Sequence, residues 1–373
     1  MSGALKRDEW ETVRLGDVCD DKVEKLSSSS QGEIYYVDIA SINNETKEIV
    51  SPQRIDSATA PSRAKQILKK NDVLVSTVRP NLNAVAIHEI DYDIPTIAST
   101  GFCVLRCHNS LDSHYTFYFC QSDYFIKSLV KVATGASYPA VRNSDVLGVK
   151  IPLPPLDVQR RIADTLDKVT ELITLRKTQL KKLDELVKAR FVELFDSIEI
   201  CKISKFSDEC EEITAGGDRP KDTSEIRTED FPYPVFANAA TNEGLLCFSR
   251  EYKIEKPCVT IAARGCTVGF TAIRYEKFTP IVRLISLVPK ETITPIYLKY
   301  YIDIKMNIEG NGAAQPQLTI PMIKSMEIMV PPIELQNQFA TFVEQTDKSK
   351  VIIQQSLDTL ETLKKSLMQE YFG

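Results

Sequence analysis

The sequence predicts an α+β protein: two α/β heads separated by two long antiparallel coiled-coil helices, with a pseudo-two-fold relation that comes from an internal tandem repeat. Three observations predict it. First, the segment from Gly135 (GASYPAVRNSDVLGVKIPLPPLDVQRRIA) aligns without a gap on the segment from Gly312 (GAAQPQLTIPMIKSMEIMVPPIELQNQFA), an offset of 177 residues. Second, a Pro-Pro pair in each copy is followed by a heptad-like apolar seam. Third, the regions before these segments are broken into short β-type runs.

The repeat superposes Gly135, Ala136, Pro139, Ile151, Pro154, Pro155, Gln159 and Ala163 on Gly312, Ala313, Pro316, Ile328, Pro331, Pro332, Gln336 and Ala340. Downstream, Leu180, Leu183, Leu186, Lys188, Glu193 and Phe195 fall on Leu357, Leu360, Leu363, Lys365, Glu370 and Phe372. Chance does not hold a register over so long a stretch. Diverged heads on matched tails imply one scaffold that presents two different surfaces.

In the first head, IYYVDIASI (34–42), DVLVSTVR (72–79), NAVAIHEI (83–90) and GFCVLRC (101–107) read as strands, with a helical patch near 115–131. The first long helix follows Pro154-Pro155. Its seam, Ile162, Leu166, Val169, Ile173, Leu180, Leu183, Val187 and Leu194, advances in steps of four and three and is broken by Arg176 and Arg190. In the second head PVFANAA (234–240), CVTIAAR (258–264), TVGFTAI (267–273) and IVRLISLV (281–288) read as strands, with a helical patch near 295–308. A curled sheet in each head fits this spacing. The second seam is Phe339, Val343, Ile353, Leu357, Leu360, Leu367 and Tyr371, with Thr346, Lys350 and Lys364 as polar exceptions. Asp157 and Glu334 stand near the helix starts, where the dipole favours carboxylates. Each helix should run about 40 residues, roughly 60 Å. One such helix alone could simply pack on its own head; two of equal length with matching seams most simply pair with each other.

Composition narrows the function classes. A chain of 373 residues holds two or three domains, and 43% apolar with 26% charged residues excludes collagen-like and wholly disordered readings. Residues 1–11 have no apolar signal region and no stretch reaches the roughly 18 apolar residues of a membrane span, so a cytoplasmic location is expected. Nine scattered cysteines without a CxxC fit a reducing compartment. A net charge of −5 argues against a free-standing nonspecific nucleic-acid binder, though not against a specific one.

Polar and basic residues gather where turns are expected. In the first head these are Arg63, Lys65, Lys69 and Lys70; Arg79, Asn81 and Asn83; and Ser137, Tyr138 and Arg142. In the second they are Arg219 and Lys221 in TAGGDRPK, Asn238, Asn242, Arg250, Arg264, Gln315 and Gln317. Arg, Asn and Gln can make paired hydrogen bonds to guanine or adenine edges, and Lys holds phosphates, so these are the candidate DNA-binding residues. The competing reading is that they are ordinary solvated loop residues.

Enzyme chemistry is missing from the pattern. There is no GxxxxGK[ST] loop, no GxGxxG opening a helix, no HExxH and no GxSxG, and only His88, His108 and His114 are available as histidines. Cys103, Cys107, His108 and His114 invite a zinc reading, but Cys103, Leu105 and Cys107 alternate as one strand face and the second copy has no equivalent, so core cysteines are favoured. The Pro-Pro pairs lack the flanking residues of the [DNS]PP[FYW] methyltransferase signature. No catalytic and no metal-binding residue is expected.

The duplicated LPPLDVQRRIA (153–163) and VPPIELQNQFA (330–340), the TAGGDRP entry (214–220) and DVLVSTVRP (72–80), together with two diverged heads, resemble the DNA-specificity subunits of type I restriction-modification systems. The resemblance covers essentially the whole chain. It implies a first target-recognition domain at 1–155, a first spacer helix at 156–196, a second target-recognition domain at 197–332 and a second spacer helix at 333–373. It also implies that each head reads one half of a split double-stranded DNA sequence while the helices set the gap. Two copies of a methyltransferase (modification) subunit and a motor-nuclease (restriction) subunit are the implied partners. No cofactor is expected on this chain; S-adenosylmethionine, ATP and Mg belong to the partner subunits. Two rival readings remain: a coiled-coil scaffold that never touches DNA, and a DNA methyltransferase with its own active site.

Overall fold

A computed structural model of the chain describes residues 10–27, 30–196, 198, 201–306 and 317–373. It divides into two compact units, Met1–Lys177 with Ser356–Gly373, and Thr178–Gln355. Gly312, Ala313, Gln315 and Pro316 of the repeat lie outside the described residues.

In the first unit the apolar run Asp72–Ser76, buried at every position, is the middle strand of an antiparallel sheet between Phe102–Leu105 and Val85–His88. A continuous apolar run suits a strand covered on both faces. A second sheet has the order Gln53–Asp56, Glu33–Val37, Thr96–Ser99, Ala64–Ile67, with Glu33–Val37 and Thr96–Ser99 parallel. Two small sheets therefore replace the single curled sheet that the spacing predicts. The run 34–42 is also not one strand. Asp38 turns the chain by accepting the Ser41 N–H on Oδ1 at 3.0 Å, and Ile39–Ser41 becomes a 3-10 turn. Helices Ser113–Phe119 and Asp123–Val132 are capped by Asp112 and Ser122.

The second unit repeats this plan. Cys258–Ala262 lies between Leu284–Pro289 and Thr271–Arg274, and Tyr233–Phe236 runs parallel to Thr279–Pro280 and antiparallel to Leu245–Ser249. Helix Pro295–Lys305 is capped by Thr294, whose Oγ1 accepts the Tyr297 N–H at 3.2 Å. A ribbon closes the base of each head: Glu11–Arg14 on Lys150–Leu153 in one, Lys202–Lys205 on Glu327–Val330 in the other. The heads thus share a core plan although their sequences agree only in outline; their edges differ, since Cys210–Ala215 is added beside Leu284–Pro289, and Thr223–Ser224 pairs with Leu245–Ser249 where the first head has Ala64–Ile67 on Thr96–Ser99.

Both long helices form as expected, Leu156–Phe195 and Ile333–Phe372, 40 residues each, with Asp157 and Glu334 in the first turns. Within the first unit, Lys177 pairs with Glu361 at 3.1 Å while Phe372 joins the core cluster of Ile162, Ala163 and Leu166, so the two segments run antiparallel. Within the second unit, Asp184 meets Lys350 at 2.7 Å and Phe191 and Phe195 pack on Phe339, again antiparallel. Ile162, Leu166, Val169, Ile173, Val187, Phe339, Val343 and Leu357 are buried; Leu180, Leu183, Leu194, Ile353, Leu360 and Leu367 are half-buried. The seam near residue 190 passes through Phe191, which is fully buried and which the four-three stepping skips. Among the polar exceptions, buried Thr346 returns its hydroxyl to the Phe342 carbonyl at 2.8 Å, and Lys350 is held by Asp184 and by Asp347 at 3.3 Å.

A candidate nucleic-acid interface

The site is set by where the middle strand of each head ends. In the first head Thr77 donates its N–H to the Gly101 carbonyl and accepts from the Val141 N–H, and Thr100 donates to the Arg63 carbonyl, all at 2.9 Å. These bonds bring the loops around residues 63, 100, 77–83 and 134–142 side by side. Thr134 and Ala140 exchange backbone bonds and close a hairpin. Gly135 permits it, since at φ +105° a Cβ there would stand 2.9 Å from the Tyr138 carbonyl oxygen.

Arg79 leaves the strand in the left-handed region at φ 51°, and Asn83 closes the following 3-10 turn at φ 48°. That conformation costs a non-glycine residue roughly 1–2 kcal/mol. It is held by the Arg79 N–H on the Pro139 carbonyl at 2.7 Å and by Lys47 Nζ on the Asn83 carbonyl at 2.6 Å. The Arg79 guanidinium lies over the Tyr138 ring, 4.4 Å from its centroid, and Tyr138 is 68% exposed. Arg63, Asn81, Ser137 and Arg142 are exposed on the same group of loops. Lys69 and Lys70 are exposed elsewhere. They lie at the opposite end of the Asp72–Ser76 strand, in a turn organised by buried Asp72, which accepts the Lys69 N–H and both Nε and a terminal nitrogen of Arg106. Lys69 is also paired with Glu24 at 2.9 Å. Lys65 sits half-exposed within the edge strand Ala64–Ile67.

In the second head Ala263 accepts the Leu318 N–H, the counterpart of Thr77 and Val141. This makes Arg264 equivalent to Val78, so the two strand-end arginines stand one position out of register. Arg264 is exposed and donates to Gln317 Oε1 at 2.9 Å. Asn238, read from sequence as a DNA contact, instead turns inward. Its Oδ1 accepts the N–H groups of Ala263 and Arg264 and its Nδ2 donates to the Arg264 carbonyl, so its amide is spent on holding the Arg264 loop. Arg250 is likewise engaged, by Asp222 at 2.8 Å and Asp230 at 3.5 Å, with its guanidinium over the Phe231 ring. Arg219 donates to Thr223, and Lys221 and Asn242 are exposed. Gln315 falls outside the described residues.

The TAGGDRP entry has a backbone explanation. A Cβ on Gly216 would stand 2.5 Å from the Ile281 carbonyl oxygen, and Val282 donates to the Gly217 carbonyl. Close approach requires glycine there. The neighbouring exposed Arg283 escaped sequence reading because it lies in an apolar run taken as continuous strand. Arg274 was also missed, with reason: it is 5% exposed, stacks on Phe236 at 3.7 Å and bonds Glu243 and Thr260, so it braces the 241–244 turn. Burial holds its pKa below the ordinary arginine value.

The cysteine and histidine group of the first head does not converge. Cys103 is a core residue whose thiol burial pushes up to about 12, His108 faces Asp20 at 3.1 Å, and His114 faces Asp167 and Glu89. Among the described residues no three His, Cys, Asp or Glu are placed to hold a metal, and no helix is long and apolar enough to cross a membrane.

The family model described as type I restriction modification DNA specificity domain matches residues 7–185 and 200–362. A putative type I specificity subunit of Mycoplasma pneumoniae is 28% identical over 228 residues, 57% of this chain and 68% of that protein. A putative type I restriction enzyme specificity subunit of Methanocaldococcus jannaschii is 24% identical over 396 residues, 97% of this chain and 92% of that protein. A solved chain from work on complex assembly and conformational transition of the type I R-M system aligns with a TM-score of 0.63 at 26% identity over 97% of both chains. The S subunit of M. genitalium has the same fold, with a TM-score of 0.63 at 17% identity over 100% of this chain and 97% of that one.

Proposed function

Since the chain belongs to the type I restriction-modification DNA specificity family, we propose that it is a non-catalytic subunit that binds a split DNA sequence and docks two methyltransferase subunits. Each head reads one half of the sequence with the loops at the end of its middle strand. The observation that carries this reading is the family match across both repeats, to which the geometry adds an exposed arginine at the corresponding loop of each head, Arg79 and Arg264.

The long helices act as the spacer, and their outer apolar residues, Leu172 and Leu175 in the first unit and Val351 and Ile352 in the second, offer area for partner subunits. S-adenosylmethionine, ATP and Mg belong to those partners, and the complex works in the cytoplasm. The acidic net charge of −5 fits a subunit that shares phosphate contacts with others. The test is to express the chain with its methyltransferase partner in a methylation-free host and map modified adenines. A two-part motif with a fixed gap is expected; methylation without a two-part motif overturns the reading.

A further inference from the structure

The first head carries a pre-set arginine whose chemistry specifies more than DNA contact. Arg79 has no carboxylate within ion-pair distance among the described residues, and its guanidinium makes no side-chain hydrogen bond there; its one partner is the face of Tyr138 at 4.4 Å. Stacking fixes the guanidinium plane and leaves its N–H edge to be satisfied from outside. The backbone beneath is rigid: the left-handed Arg79, Pro80 at the first position of the turn, and bonds from Arg79 to Pro139 and from Lys47 to Asn83. In the same turn Leu82 donates its N–H to the Arg79 carbonyl at 2.9 Å, and its side chain is 50% exposed.

Resting on the specificity reading above, we propose that Arg79 is the base-reading residue of the first head and that it takes a guanine, donating two parallel bonds to O6 and N7 in the major groove, with Tyr138 as its positioning residue. A phosphate contact carries no sequence information, so its loss weakens binding without changing the motif, whereas loss of a guanine contact relaxes one position of it. Lys69 and Lys70 are excluded from this role by their position at the other end of the strand.

The experiment uses the full chain with its methyltransferase partner, mapping the methylated motif for wild type, Arg79→Ala, Arg79→Lys, Tyr138→Ala and Tyr138→Phe. The expected wild-type motif has a guanine in one half. Arg79→Ala should relax that single position by about ten- to a hundredfold, and Arg79→Lys, which loses the planar fork and its stacking on Tyr138, should relax it less; the other half-site stays unchanged, which also shows that the variants fold and assemble. Tyr138→Ala should relax the same position less, and Tyr138→Phe should restore it. If Arg79→Ala leaves the motif of a two-part methylating complex unaltered, the guanine assignment is overturned and the specificity reading stands. A wild-type complex that methylates without a two-part motif overturns both.

Discussion

At the base of the first head, Gln159 is fully buried: its Oε1 accepts the Asp112 N–H at 2.8 Å, and its Nε2 donates to the Ser110 and Pro154 carbonyls at 3.0 and 2.8 Å. At the base of the second, Gln336 accepts the Thr294 N–H at 2.8 Å and donates to the Thr292 and Pro331 carbonyls, each at 2.9 Å. Tyr115 and Tyr297 return their hydroxyls to Pro152 and Met329 in the same way. At the loop ends the correspondence stops. One arginine stacks on a tyrosine, and the other, one position away, bonds to a glutamine. Buried polar groups must be satisfied, so the bases cannot drift without loss of stability. Exposed loops carry no such constraint, and that freedom is what the proposed reading of two unlike half-sites requires.

The largest expected effect tests whether the bases are truly interchangeable. Phe372 packs on Tyr115 and Phe119 in the first unit, and Phe195, its partner under the 177-residue offset, packs on Tyr297 in the second. Each head is therefore completed by the end of the helix that starts in the other copy. Phe372→Ala should cost about 3–5 kcal/mol, and hydrogen exchange should show it at Ser113–Phe119 rather than at Pro295–Lys305. Phe195→Ala should show the reverse. Equal loosening of both helices by either variant would break the correspondence.

Gln159→Leu and Gln336→Leu come next. Each leaves one N–H and two carbonyls unpaired in a buried place, at a cost of about 2–4 kcal/mol, and the two losses in denaturant unfolding should agree to within about 1 kcal/mol.

These anchors show what was legible. The repeat marked Gln159 and Gln336 as paired positions, because identity at a fixed offset survives where burial enforces it. Their three bonds each were invisible, since Asp112 and Thr294 lie outside the ungapped alignment. The strands appeared wherever apolar runs were dense, as at 72–76 and 258–262. The run at 34–42 was read too long because a side-chain bond from Asp38 decides the turn. At the loop ends, composition could nominate Asn238 and Arg250 but not their direction. Three bonds with the Arg264 loop and two carboxylates around Arg250 are tertiary facts. Phe191 was missed because Arg190 interrupts the stepping.

A third test sharpens a difference within the bases. The short helix after the opening strand buries Leu15 and Val18 in the first head, and Phe206 and Glu209 in the second. Burial disfavours the Glu209 charge, but bonds from Lys202, Thr292 and Ser204 outweigh it and hold the carboxyl at about 2. A carboxyl lowered on folding stabilises fully above its unfolded value, about 4.3, and the contribution is lost as pH falls through the folded value. The second unit should therefore lose about 2 kcal/mol between pH 5 and pH 2 through this group. Glu209→Gln should flatten that part of the profile, measured by urea unfolding against pH. A wild-type slope unchanged in the variant would show that Glu209 is not the source.

The smallest effects separate two lysines that interrupt the second seam. Lys350 is held between Asp184 and Asp347, and these bonds raise its pKa against the opposing effect of burial. Lys364 has no such pair among the described residues; burial lowers its pKa, Lys177 adds to this, the charge of Asp167 opposes it, and its amine lies 5.7 Å from the Tyr118 ring centroid. A lysine whose folded pKa is lowered detracts from stability wherever it is charged in the unfolded chain, including pH 7. Lys364→Met keeps the stem and removes that burden, so it should stabilise by about 0.5 kcal/mol, whereas Lys350→Met removes two partly exposed ion pairs and should destabilise by a similar amount. Added salt should shrink the Lys350 effect and leave the Lys364 effect nearly unchanged, because screening acts on the exposed pairs and not on desolvation. The opposite signs decide between two accounts of the polar seam positions. If both variants stabilise, the lysines interrupt the seam for the sake of partners or register; if both destabilise, Tyr118 supports Lys364 more strongly than a 5.7 Å separation implies.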